Sequence, residues 1–174
     1  MKVIECPDGY YERCRWLVSK ATEINGTIID IGCADAFMFR DIAQDRTTFI
    51  DNSQIAQKKC KGLNFHLADA HNLPFPDKSF DVAILGEVLE HVANPVAVLR
   101  EAKRVAKHIF ITTPNEWEWK AEQRPFSTLG HIRFYTEETL EKDLKEGLEN
   151  GYFIFKIVGG GWSFFGVEWH QNTV

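Results

Sequence analysis

With 174 residues, 44% of them hydrophobic, the chain has material for one sizeable core, and a single domain over 1–174 is the expectation. Twenty Lys and Arg against twenty-five Asp and Glu give a net charge of -5, the wrong sign for gripping a phosphate backbone, so nucleic acid is not an expected partner. No segment approaches about twenty apolar residues and the start carries no long apolar run, which excludes an expected membrane span or signal peptide and predicts a cytoplasmic protein. Cys6, Cys14, Cys33 and Cys60 form no C-x-x-C pair and have no His partner at zinc-finger spacing. Free thiols in a reducing compartment and no metal centre follow as expectations.

Cys6-Pro7-Asp8-Gly9 is turn chemistry, and Tyr10, Cys14, Leu17, Val18 and Ala21 then recur at helical spacing as one apolar face that Asn25-Gly26 terminates. Tyr10 and Tyr11 fit either simple packing or an aromatic lid over a ligand. Thr27–Ile31 is the first predicted strand. The stretch Ile28-Ile29-Asp30-Ile31-Gly32-Cys33-Ala34-Asp35-Ala36 reads as a buried strand that turns sharply at Gly32, which lets backbone N–H groups approach a nucleotide-type ligand. Asp30 and Asp35 put negative charge there, which suits a cationic ligand better than a pyrophosphate. A helix is predicted over Ala36–Gln44. The next strand, Thr47–Ile50, ends in Asp51-Asn52, and Asp51 follows Gly32 at about the twenty-residue spacing of an acid that accepts from ribose hydroxyls. Capping the helix that begins near Ser53 is an equally sound role for Asp51, and the two are compatible. Lys58-Lys59-Cys60-Lys61 reads as a solvated helix end.

Leu63–Leu67 is a third strand, and Asp69 of Ala68-Asp69-Ala70 lies just past its carboxyl end, where a carboxylate can accept from an exocyclic amine. Leu73-Pro74-Phe75-Pro76-Asp77 is a rigid loop before the apolar strand Phe80–Leu85, which stops at Gly86-Glu87. Asn94-Pro95 opens a helix whose stripe is Val98, Leu99, Ala102 and Val105. A fifth strand, His108–Thr112, leads into Asn115 to Tyr135, a long aperiodic segment with Trp117, Trp119, Arg124, Phe126, His131, Arg133 and Tyr135. Its length and its place on the ligand side predict a substrate cover. Thr136 caps a further helix carrying Leu140, Leu144 and Leu148, ended by Asn150-Gly151. Tyr152–Val158 and Trp162–Trp169 are the last strands. Gly159-Gly160-Gly161 is too short for a parallel crossover, so these two should pair antiparallel.

This pattern resembles the class I S-adenosylmethionine-dependent methyltransferases, especially the small group called methyltransferase type 11. The carriers are Asp30-Ile31-Gly32-Cys33-Ala34-Asp35-Ala36, Asp51, Ala68-Asp69-Ala70 with Leu73-Pro74-Phe75, Ser79-Phe80-Asp81-Val82 and Glu87-Val88-Leu89-Glu90-His91-Val92. The resemblance implies an α/β, Rossmann-like, doubly wound seven-stranded sheet of order 3-2-1-4-5-7-6 with strand 7 antiparallel. It also implies S-adenosylmethionine as cofactor and a small-molecule methyl acceptor as partner. Cofactor contacts are then expected from Asp30, Gly32, Cys33, Asp51, Asn52, Asp69, Ala70 and Glu87, with the methionine moiety at Gly32, ribose at Asp51, adenine at Asp69 and Ala70, and the sulfonium near Glu87. His131 and His91 are the candidate bases, because imidazole titrates near neutrality; structural roles fit both as well.

One departure is marked. The family commonly has three glycines in the first motif, and Ala34 and Ala36 stand at two of those positions, so strain and a thicker wall are expected there. That departure keeps open a weakly active or inactive partner subunit as the alternative function. A nicotinamide-dependent oxidoreductase would share Gly32 and Asp51 but needs G-x-G-x-x-G, which the sequence lacks.

Overall fold

The computed structural model describes residues 10–118, 130–158 and 163–172. In chain order these form α1 (Tyr10–Glu23), β1 (Ile28–Ile31), β2 (Thr47–Asp51), α2 (Gln54–Lys59), β3 (Phe65–Leu67), β4 (Phe80–Gly86), α3 (Pro95–Val105), β5 (Ala106–Pro114), α4 (Glu137–Gly147), β6 (Gly151–Val158) and β7 (Phe164–Gln171). One seven-stranded sheet has the order β3-β2-β1-β4-β5-β7-β6. Its first five strands run parallel, and β7 is antiparallel to both β5 and β6. The predicted architecture and the antiparallel final pair are both present. The register of that pair runs from Gly151 opposite Gln171 to Val158 opposite Phe164, while the triglycine link and Trp162 lie outside the described residues.

The central strands form because parallel sheets are covered on both faces, which a run such as Ile28-Ile29-Asp30-Ile31 satisfies in alternation. Ile29 and Ile31 enter one core with Leu85, Leu99, Leu140 and Trp169. Ile28 enters the other, with Leu17, Phe39, Phe49, Ile84 and Phe110. Asp30 shares the face of Ile28, and this placement decides its chemistry below. Helix α1 thus covers one face; α3 and α4 cover the other. The Asn94 side chain accepts from Ala97 N at 3.1 Å and Pro95 occupies the first turn of α3. At α4 the Thr136 hydroxyl accepts from Thr139 N while Thr139 Oγ1 accepts from Thr136 N at 2.9 Å, so two otherwise orphan donors are satisfied. Asn150 takes a left-handed φ of 62° after α4, as a helix stop does.

The predicted helix over Ala36–Gln44 is not formed. Its hydrogen bonds mix spans: Arg40 N and Ala43 N donate four residues back, to Ala36 O and Phe39 O, while Ile42 N donates to Phe39 O. Ala36 itself has φ 61°, outside the helical region. The Arg40 guanidinium further takes the carbonyls of Asp35 and Lys59 at 2.7 Å each, so the segment is a series of turns held by side chains. Of the predicted cover, Trp119, Arg124 and Phe126 lie outside the described residues. Tyr11 packs edge-on against Phe37 with ring centroids 6.0 Å apart, which is the packing role; the Tyr10 side chain is outside the description. Among the described residues no helix is long and apolar enough to cross a membrane.

Candidate active site

A cavity of about 420 Å³ opens beside the carboxyl ends of β1, β2 and β4, and Gly32, Asp51, Asn52, Asp69, Ala70 and Glu87 stand on its wall. This is where an open parallel sheet leaves a crevice for a ligand. Gly32 is required twice over. Its φ is +76°, and a Cβ there would lie 2.6 Å from Val88 Cγ2. Gly32 N and Cys33 N both donate to Ile50 O, at 2.8 and 2.9 Å, which fastens the turn to β2.

Ala34 and Ala36 carry the turn onward at φ 51° and 61°. The expected strain is therefore present, and it resides in a left-handed geometry that alanine tolerates at a cost of about 1–2 kcal/mol per residue. Ala34→Gly and Ala36→Gly should each stabilise the protein by about 1 kcal/mol. Urea unfolding of each variant against the parent checks this, and a loss of stability in either would overturn the strain account.

Asp51 links two segments, while the cap expected of it falls to Ser53. Its Oδ1 accepts from Ser53 N at 2.8 Å and its Oδ2 accepts from Ala34 N at 3.0 Å, so one carboxylate joins the β1 turn to the start of α2. Ser53 is the cap of that helix, accepting from Ile55 N and Ala56 N. Since each carboxylate oxygen has two acceptor sites, Asp51 retains capacity for hydroxyl donors in the cavity. Asp69 Oδ1 accepts from both His71 N and His71 Nδ1, at 2.9 and 2.7 Å. The backbone N–H of His71 leads the effects that hold the Asp69 carboxyl below its ordinary range, so Asp69 is an ionised acceptor near neutrality.

Glu87 is held at φ 60°, an uncommon backbone for a residue of its size and one that collects at functional sites. Its carboxylate is 3.8 Å from the guanidinium of Arg13, itself buried on α1. Burial pushes the Glu87 carboxyl up and Arg13 opposes that rise. Behind it, Glu90 Oε2 accepts from the Thr113 hydroxyl at 3.0 Å, while Oε1 has no partner among the described residues. Burial, then the charge of Glu87, raises the Glu90 carboxyl well above the usual range.

The two predicted bases meet. Their rings stand edge to face with centroids 4.7 Å apart. His91 lines the cavity and its Nδ1 is 2.9 Å from Gly130 O. His131 is largely buried beside that wall, with Nδ1 2.8 Å from Glu116 Oε1. Asp30 and Cys33 are placed differently from the other expected contacts. Asp30 points into the core on the face of Ile28, fully buried, with neither carboxyl oxygen paired among the described residues. Burial, reinforced by the charge of Asp51, pushes it up to about 7. The Cys33 thiol is also buried, and burial followed by the nearby Asp30 charge raises it far above the normal thiol range. Neither lines the cavity.

Sequence reasoning passed over Glu90, Glu116, Arg13 and His71. Arg13 carried a signal, since it lies one turn before Leu17 on a helix face that is otherwise apolar. Glu116 carried none, because its partner His131 is fifteen residues away in an aperiodic segment.

Residues 29–109 match the family model described as methyltransferase domain. An uncharacterized 37.1 kDa protein from a Streptomyces fradiae transposon is 30% identical over 132 residues, covering 69% of this chain and 38% of that protein. A demethylmenaquinone methyltransferase of Thermotoga maritima is 43% identical over 54 residues, 31% of this chain and 24% of its own. The chain spans less than half the length of these curated relatives. Among solved structures, an S-adenosylmethionine-dependent methyltransferase from Archaeoglobus fulgidus superposes with a TM-score of 0.72 at 16% identity, over 93% of this chain and 94% of that one. The matched segment holds the Gly32 turn, Asp51 and Glu87, and the strand order of β1 to β7 is shared with S-adenosylmethionine-dependent methyltransferases of known structure, so the chain carries a methyltransferase domain with the class I fold.

Proposed function

We propose that the protein transfers a methyl group from S-adenosylmethionine to a small-molecule acceptor, in the cytoplasm. The observation that carries this reading is the cavity whose wall combines the glycine turn with three carboxylates, Asp51, Asp69 and Glu87. That donor set fits the cofactor: Asp51 and Asn52 can take the ribose hydroxyls, Asp69 with Ala70 the adenine edge, and Gly32 leaves room for the methionine moiety. The negative wall at Glu87 suits a sulfonium. When bound, the cofactor supplies an activated methyl for direct displacement, so the protein's part is alignment, exclusion of water and placement of charge. His131, fixed by Glu116, and His91 are the groups available to receive an acceptor proton. Relatives named as demethylmenaquinone and 2-phytyl-1,4-naphtoquinone methyltransferases support a small organic acceptor. The partner-subunit alternative rests on Ala34 and Ala36: both keep the turn in its left-handed course, and Ala34 lines the cavity, so cofactor affinity decides between the two readings.

Calorimetry with S-adenosylmethionine and, separately, NAD tests the cofactor; binding of NAD alone would overturn the reading. Asp51→Ala should weaken S-adenosylmethionine about ten- to a hundred-fold, the worth of a charged hydrogen bond of about 1.5–3 kcal/mol. Because Asp51 also ties Ala34 N to Ser53 N, Asp51→Asn, which keeps one acceptor oxygen, separates lost binding from a loosened turn. Unchanged affinity in both variants would reduce Asp51 to a structural link.

A further inference from the structure

A close group of metal-ligating atoms lies at the cavity wall, where His91 stands. Glu90, His91 and His131 each offer one atom that could ligate a metal, and the three atoms are within 4.8 Å of one another. Spacing along the sequence predicts no metal centre, because it takes the fold to bring residue 131 against residue 91. Three features set this group apart from a chance meeting of polar side chains. First, His91 Nδ1 faces a carbonyl, Gly130 O, at 2.9 Å, and His131 Nδ1 faces a carboxylate oxygen, Glu116 Oε1, at 2.8 Å. Each acceptor fixes the proton on Nδ1, so each neutral imidazole keeps its Nε2 lone pair, and no described residue bonds to either Nε2. Ligating histidines are held in this way, with the other ring nitrogen donating to a carbonyl or carboxylate. Second, Glu90 is 1% exposed and its Oε1 has no partner among the described residues, whereas buried carboxylate oxygens are ordinarily satisfied. Third, buried Glu116 and partly buried Glu87 add two more carboxylates, and the only cation that ion-pairs with Glu87 among the described residues is Arg13, at 3.8 Å.

We propose that Glu90, His91 and His131 form a binding site for a divalent transition-metal ion, with Glu116 and Gly130 O orienting the two imidazoles. Two imidazoles and one carboxylate suit zinc, iron, cobalt, nickel or manganese, and leave coordination positions open. Tetrahedral donors about 2.0–2.1 Å from such an ion lie roughly 3.4 Å apart, so the side chains must draw together by up to about 1.4 Å from a present spread within 4.8 Å. His91 also lines the cavity, so an oxygen donor of a bound acceptor can complete the coordination. That consequence alone rests on the methyltransferase reading; the site itself does not.

Equilibrium dialysis of the metal-stripped chain with Zn²⁺, and with Co²⁺ for its ligand-field spectrum, tests the site without S-adenosylmethionine. The expected result is one ion per chain, displacement of two histidine Nε2 resonances in nitrogen-15 spectra of the unmodified protein, and at least about a hundred-fold weaker binding in His131→Ala and Glu90→Gln. Glu116→Gln, which leaves all three ligands in place, should weaken binding about 10–100-fold. His170→Ala removes a histidine from the separate pair with His108 and should change nothing. Absence of uptake, uptake that survives His131→Ala and Glu90→Gln within a factor of about two, or unmoved His91 and His131 resonances would each overturn the proposal. The nitrogen-15 result needs no variant to fold. Failure of S-adenosylmethionine to bind leaves these outcomes untouched, and they leave cofactor binding untouched.

Discussion

Asp30→Asn should gain stability relative to the parent as pH rises from near 4 to near 8, by on the order of 4 kcal/mol over that interval. The Asp30 carboxyl is fully buried, lacks a hydrogen-bond partner among the described residues and is pushed up to about 7 from an ordinary value of 3.8. The folded chain therefore holds this proton at pH values where the unfolded chain has released it. Below about pH 4 both states are protonated and the group costs nothing; between about 4 and 7 the parent loses stability by about 1.4 kcal/mol per pH unit; above that the loss is constant. Asparagine cannot ionise, so it shows no such fall, although its own buried amide adds a penalty that is the same at every pH. Urea unfolding of both proteins at several pH values isolates the pH-dependent part. A difference between the two proteins that does not change with pH would mean that Asp30 is not the buried acid described.

Why Asp30 escaped a sequence reading, when its neighbours did not, is a matter of period. The strand order, the Gly32 turn and the acids Asp51, Asp69 and Glu87 were legible because each stands at a strand end, where the apolar run stops and the next residue must face the crevice. Asp30 stands one residue inside such a run, and its direction follows from alternation with Ile29 and Ile31. A motif places it near the ligand in sequence; the pleat turns it into the core with Ile28 and Phe39. The helix expected over Ala36–Gln44 failed for a related reason. Met38, Phe39 and Ala43 are buried at spacing a helix would accept, but the backbone is already committed by left-handed Ala34 and Ala36, and the Arg40 guanidinium takes the Asp35 carbonyl that would open the helix and ties the segment to Lys59 O of α2. The pairing of His131 with Glu116, and of both with His91, was not legible at all. It depends on Gly130 and Ile132 docking onto residues 90 and 91, through Ile132 N to Glu90 O at 2.9 Å and Gly130 O to His91.

In the metal-free protein, His131→Ala should lower turnover of the true acceptor by about 10²–10⁴-fold, the worth of a positioned base, while S-adenosylmethionine affinity stays within a factor of about two. The ring is largely buried beside the cavity, and Glu116 at 2.8 Å fixes its tautomer and supports the imidazolium that proton transfer would create. The cofactor contacts proposed here lie on the glycine turn, Asp51, Asn52, Asp69, Ala70 and Glu87, of which only Glu87 feels His131, through its charge, so the two effects should largely separate. Glu116→Gln keeps an acceptor oxygen but loses the charge; it should cost less than His131→Ala and alter the pH profile of kcat, which a packing defect would not do. Added imidazole should partly restore the alanine variant if the lost group is a base, and should fail to do so if its part is to hold an ion. The acceptor is found first, by screening metabolite fractions for methyl uptake with the parent protein. If turnover of that acceptor by His131→Ala then remains within a factor of about two of the parent, neither proton transfer nor substrate placement belongs to His131, and the base must be sought at His91 on the cavity wall.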